Sequence, residues 1–232
     1  MNKRTDTLII YGGGTSLNDI SQKEYDKLMN IDSIAVNLFI KTKIKLTHYI
    51  VGEGLFFLLH KIDTEKDDKI KNDLILEYKE YINILNTFYS DTQLIFIETY
   101  DTMSFLNKYT ESVKNDLTNK KIIFVSCNNE GSEVIDYITN KQLYHKNCGI
   151  NCCINYGLRM GYKNIIFVGI DLYNSKYAYD SINSKLLNKD ENQEHSTKNT
   201  IFEYITYNKD NIRFFTYNPR SMLSQIIPTI RF

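Results

Sequence analysis

The 232-residue chain has no tryptophan, two prolines and no net charge, its 28 basic residues matching its 28 acidic ones. Balanced charge excludes the one-sided basic field that draws a protein to nucleic acid or anionic lipid from a distance, so no nucleic-acid partner is expected. Long apolar runs are missing too. None approaches the ~20 residues of a membrane span. One of the longest is Ile165-Ile166-Phe167-Val168-Gly169-Ile170. The N-terminal residues carry no long apolar region and no small-residue cleavage site, so no secretory signal is read there. A cytoplasmic location is the expectation, with the inner face of the membrane as its variant.

Cysteine is scarce, and its spacing is not that of a metal site. Cys127, Cys148, Cys152 and Cys153 have no histidine or second cysteine pair at a zinc spacing. The adjacent pair Cys152-Cys153 reads as small core residues in an apolar pattern. Asp-x-Asp, HExxH, G-x-S-x-G and a Walker lysine are all lacking. No metal or cofactor is expected.

What is present is an alternation of short apolar runs and helical patterns. The runs at 7–11, 33–36, 47–51, 93–97, 121–125, 164–168 and 211–215 are continuous more often than alternating. Continuous runs mark strands buried on both faces, hence a mostly parallel sheet covered by helices. Helical spacing is read at 21–29, 69–89, 102–115, 131–139, 150–160, 199–207 and 220–226, with Gly161 placed to end the segment 150–160. The expectation is one α/β domain over 1–232, Rossmann-like and doubly wound. Residues 174–198 break the pattern, being polar and following a buried strand. They read either as a lid over a ligand at the carboxyl end of the sheet or as a plain surface loop.

Three features can carry chemistry. The first strand runs into Gly12-Gly13-Gly14-Thr15-Ser16. Without Cβ atoms, backbone amides can approach an anion, and Ser16 adds a hydroxyl. A tight strand-to-helix turn explains the same residues equally well. Gly169-Ile170-Asp171-Leu172-Tyr173 ends the most apolar strand. Burying Asp171 unpaired costs several kcal/mol, so it is expected either to face a crevice or to cap the next turn. His195 lies where the polar segment returns to the body of the chain. A neutral imidazole there suits a general base, and an exposed loop histidine is the competing reading. Of the other three histidines, His48 reads as core or strand end, His60 as interfacial and His145 as part of a connector.

In order along the chain, these segments resemble the bacterial lipooligosaccharide sialyltransferases, glycosyltransferase family 42. The matching pieces are Ile9-Ile10-Tyr11-Gly12-Gly13-Gly14-Thr15-Ser16-Leu17, Val36-Asn37-Leu38-Phe39 and Leu55-Phe56-Phe57. They continue with Gly161–Ile165, Gly169–Tyr173, Tyr177–Asp180, His195–Thr200 and Pro219-Arg220-Ser221-Met222-Leu223. Each is loose alone; their order is the more specific signal. The chain is identified as a divergent member. It has Gly13 where the family has asparagine, Val51-Gly52-Glu53-Gly54 for a Tyr-Asn-Pro-Ser stretch, and Lys146-Asn147-Cys148-Gly149 for Arg-x-Thr-Ser.

The resemblance implies an inverting, metal-independent transfer of sialic acid or a related acidic sugar from a CMP-activated donor to a glycan hydroxyl. By position, His195 is the general base, and Tyr173 and Tyr177 hydrogen-bond the departing phosphate. Gly12, Gly13, Gly14, Ser16, Asn37, Gly169, Asp171 and Ser221 line the nucleotide. An oligosaccharide or glycolipid acceptor and a homo-oligomer, a tetramer in the family, are implied with them. Two other readings keep the fold: different nucleotide chemistry, as in flagellin-modifying transferases or pterin pyrophosphokinases, and a non-catalytic CMP-binding remnant.

Overall fold

Each of the seven apolar runs forms a strand. They are β1 (Thr7–Tyr11), β2 (Asp32–Val36), β3 (His48–Val51), β4 (Gln93–Tyr100), β5 (Ile122–Asn128), β7 (Asn164–Val168) and β8 (Arg213–Thr216). A short strand without a sequence signal, β6 (Gln142–Tyr144), adds to the edge beyond β5. This computed structural model describes residues 4–100, 104–118, 121–128, 142–144, 148–172 and 191–232. The expected helix at 131–139, His145, Tyr173, Tyr177 and residues 174–190 of the expected lid lie outside the described residues.

Among the described residues the sheet has the order β6-β5-β4-β3-β2-β1-β7-β8. Every pairing is parallel, so the fold is α/β with a parallel sheet, as expected. The chain steps outward from β1 to β6, then returns to lay β7 on the other side of β1. The order therefore reverses at β1, and in sheets of this class the crevice at such a reversal receives ligands. Leu8, Ile9 and Ile10 are fully buried at this centre.

The helices are α1 (Gln22–Leu28), α2 (Glu53–Thr64), α3 (Asp68–Thr87), α4 (Thr110–Asp116), α5 (Gly149–Arg159) and α6 (Glu191–Asn208). Ser21 and Glu24 form a reciprocal capping box that starts α1. The segment 102–115 splits into a 3-10 turn, Ser104–Tyr109, and α4; the segment 220–226 is a 3-10 turn, Met222–Gln225. Helix α5 is buried from Asn151 to Gly157 and packs on β1, β2 and α6. A Cβ at Gly157 would stand 2.9 Å from Leu8 Cδ2, so glycine lets this helix close on β1. Gly161 follows with φ +71, the left-handed helix ending its position suggested.

Two differences from the sequence reading have plain causes. Helix α2 was hidden because Leu55–Leu59 is one apolar block with no helical period. Helix α6 begins at Glu191, not at 199, and so takes residues 191–198 from the expected lid. Its first two turns are wholly polar, and polar turns have no apolar stripe to mark them.

Among the described residues no helix is long and apolar enough to cross a membrane. All four cysteines are buried, and Cys127 and Cys152 lie 3.8 Å apart at sulfur. Their contact, together with burial, pushes the Cys152 thiol well above its ordinary range, in keeping with a core role. At the opposite, amino edge, His48 is buried with its Nδ1 2.9 Å from Thr47 Oγ1. His60 is half-buried against the Phe105 ring at 5.1 Å.

Candidate functional site

Two glycine-bearing regions stand at the carboxyl edge of the sheet, and they differ in what is left unsatisfied. In the first, the turn after β1 lies against the turn after β7. Gly12 N–H donates to Val168 O at 2.8 Å and Gly14 N–H to Gly169 O at 2.7 Å. A Cβ at Gly12 would come within 2.6 Å of Gly169 O, and one at Gly14 within 2.5 Å of Asp171 Oδ2. Gly169 has φ +68, and a Cβ there would meet Gly12 O at 2.4 Å. These glycines let two backbone turns touch. Two of the turn's amides are therefore spent on β7 rather than offered to an anion. Gly13, between them, is partly exposed.

Asp171 completes this region. Its carboxylate accepts from Ser16 N–H at 2.9 Å, from the Ser16 hydroxyl and from Asn218 Nδ2 at 2.9 Å. It is only 4% exposed. The expectation of a crevice-facing aspartate is thus replaced by a buried clamp, because three protein donors offset the cost of burial. Ser221 belongs to the same clamp: its hydroxyl donates to Ile170 O at 2.6 Å and accepts from Leu223 N–H at 3.2 Å. Gly12, Gly14, Ser16, Gly169, Asp171 and Ser221 are thus brought together as one hydrogen-bonded unit joining the ends of β1, β7 and β8.

The second region is built around Asn37, directly after β2. Its backbone is left-handed, φ +59, a conformation asparagine tolerates better than most residues. The Asn37 carbonyl accepts from the Tyr81 hydroxyl at 2.8 Å and from the Tyr49 hydroxyl. Its side chain lies between two helix beginnings. A Cβ at Gly54, in the first turn of α2, would be 3.4 Å from Asn37 Oδ1. A Cβ at Gly149, the first residue of α5, would be 3.2 Å from Asn37 Nδ2. Among the described residues Oδ1 is buried with no hydrogen-bond partner, a costly state for a carbonyl oxygen in a folded chain.

Neither helix has a side-chain cap: Gly52 precedes α2 and Cys148 precedes α5, and neither contributes a capping hydrogen bond. The first amides of both helices, such as those of Gly54, Gly149 and Ile150, have no acceptor within their own helix. Two positive helix ends thus flank an amide whose oxygen lacks a partner among the described residues. This slot can receive a ligand with acceptors for the helix amides and a polar group for Asn37.

Of the residues read from sequence, the structure assigns Asn37 to this slot and six others to the clamp. His195 lies in the second turn of α6; its side chain, like Tyr173 and Tyr177, is outside the described residues. Gly54 and Gly149 were seen in the sequence only as departures from a pattern. What the sequence could not show is that both stand beside Asn37.

No protein-family model and no curated protein matches the chain. Solved structures do. One is the sialyltransferase CstII from Campylobacter jejuni in complex with a substrate analogue, cytidine-5′-monophosphate. It shares 17% identity, covers 99% of this chain and 86% of its own, and has a TM-score of 0.54. Another is the sialyltransferase CST-II with trisaccharide acceptor and CMP, at 19% identity, covering 96% of this chain and 85% of its own, with a TM-score of 0.54. At these identities the likeness establishes a shared fold over nearly the whole chain.

Proposed function

We propose that this protein is a glycosyltransferase that binds a CMP-activated sugar, sialic acid or a related acidic sugar, and transfers it to a hydroxyl of an oligosaccharide or glycolipid. The observation that carries the reading is the Asn37 slot: an amide oxygen without a partner among the described residues, between two helix ends that have no side-chain cap, at the carboxyl edge of a sheet whose fold is shared with CMP-bound sialyltransferases. The amides of α2 and α5 supply donors for phosphate or ribose oxygens, and Asn37 offers its amide to the nucleotide.

His195 takes the proton from the acceptor hydroxyl as that oxygen attacks the anomeric carbon, and CMP leaves with the bonding pair. Tyr173 and Tyr177 stabilise the departing phosphate by hydrogen bonds, a task neutral donors can perform without a metal. The segment after β7 closes over the donor and keeps water from intercepting it.

The test is incubation with CMP-sialic acid and lactose, then with CMP-linked sugars of the nonulosonic and Kdo classes. CMP release that survives EDTA and is lost in His195→Ala is the expected result. Tight CMP binding without turnover of any CMP-sugar would overturn the transferase reading.

A further inference from the structure

Asn37 holds an unusual backbone conformation, and the structure shows what holds it there. Tyr49 comes from β3 and Tyr81 from α3, and both are buried, 0% and 3% exposed. Their hydroxyl oxygens lie 2.7 Å apart, and both reach the one Asn37 carbonyl. A carbonyl oxygen has two lone pairs, so the two tyrosines satisfy it completely. They are spent on the backbone of a residue whose own side chain is left unsatisfied. A left-handed non-glycine residue is strained and persists where its surroundings over-determine it.

We infer that Tyr49 and Tyr81 are positioning residues: by fixing the Asn37 carbonyl they aim its amide into the slot between α2 and α5 and so set the affinity for the nucleotide. The inference rests on the proposed function for the identity of the ligand, but not for the geometry. Neither tyrosine needs to touch the ligand. The effect of each hydroxyl passes through Asn37.

The test is a double-mutant cycle read by calorimetry with CMP as the probe, using Tyr81→Phe, Asn37→Gly and both together. Glycine removes the amide and tolerates positive φ, so the backbone is not strained. Tyr81→Phe weakens CMP binding about fivefold when Asn37 is present and has no effect when residue 37 is glycine. Equal loss in both backgrounds would overturn the inference, because a merely structural role costs the same with or without the amide. A second measurement needs no ligand: the crystal structure of the Tyr49→Phe/Tyr81→Phe variant. Asn37 leaving positive φ, or its amide leaving the slot, supports the inference; an unmoved Asn37 overturns it. Failure of the wild-type chain to bind CMP would count against the proposed function, and the position of Asn37 in the variant would still decide the role of the tyrosines.

Discussion

The clamp between the β1 and β7 turns and the slot around Asn37 stand at the same edge of one sheet, both rich in glycine, and they are opposite in kind. In the clamp every polar group described has a protein partner: Asp171 alone takes three hydrogen bonds. In the slot a buried amide oxygen has none. Clamp glycines remove Cβ atoms so that backbone can meet backbone. Of the slot glycines, Gly149 lets α5 close on Val36, whose Cγ1 would stand 2.9 Å from a Cβ, while a Cβ at Gly54 would only touch Asn37 at 3.4 Å. A glycine-rich turn therefore says where the chain packs closely; unsatisfied polar groups say where something else is to bind.

The comparison breaks most readily at Asp171. Asp171→Ala strands the Ser16 amide, the Ser16 hydroxyl and the Asn218 amide in a buried place, and is expected to cost about 4 kcal/mol in urea unfolding. Gly169→Ala combines positive φ with a backbone clash and is expected to cost about 3 kcal/mol in the same assay. A loss under about 1 kcal/mol in either would mean that the clamp is not the structural unit described.

The slot answers differently. In Gly54→Ala the added methyl lies in ordinary contact with Asn37 Oδ1, so stability stays within about 0.5 kcal/mol of the parent, while CMP affinity measured by calorimetry falls about fivefold. Unchanged affinity would remove Gly54 from the slot.

The smallest effect is one of pH, at the far edge of the sheet. Burial holds the His48 imidazole below its ordinary pKa, against the raising influence of Asp32. The unfolded chain therefore binds a proton at this site before the folded chain does. This contribution to stability is complete above the unfolded pKa near 6.5 and is lost as pH falls through the window between the unfolded and folded values. The melting temperature should fall over that window, and His48→Gln should flatten the fall. CMP affinity should show no change from this substitution, since His48 begins β3 and the slot lies beyond its end.

Most of the sheet was legible. Runs such as Ile165–Val168 are apolar at every position because both faces are covered, and they gave strands within three residues of their observed bounds. Three-residue β6 has no such signal, and α2 and the start of α6 lack the periodicity that marks a helix. The site was legible in part. Asn37 stood out only through resemblance, for nothing local in Val36-Asn37-Leu38-Phe39 announces a positive φ. That conformation depends on Tyr49, 12 residues away, and Tyr81, 44 residues away. Asp171 was visible, but its burial depended on Ser16 and Asn218, which sequence alone does not bring together.

The most direct test of the central claim is a crystal of this protein soaked with CMP. The account predicts nucleotide density within hydrogen-bond distance of the Asn37 amide and of the first amides of α2 and α5, with the clamp around Asp171 unchanged. CMP bound away from Asn37, with Asp171 released from Ser16 to meet it, would contradict the account.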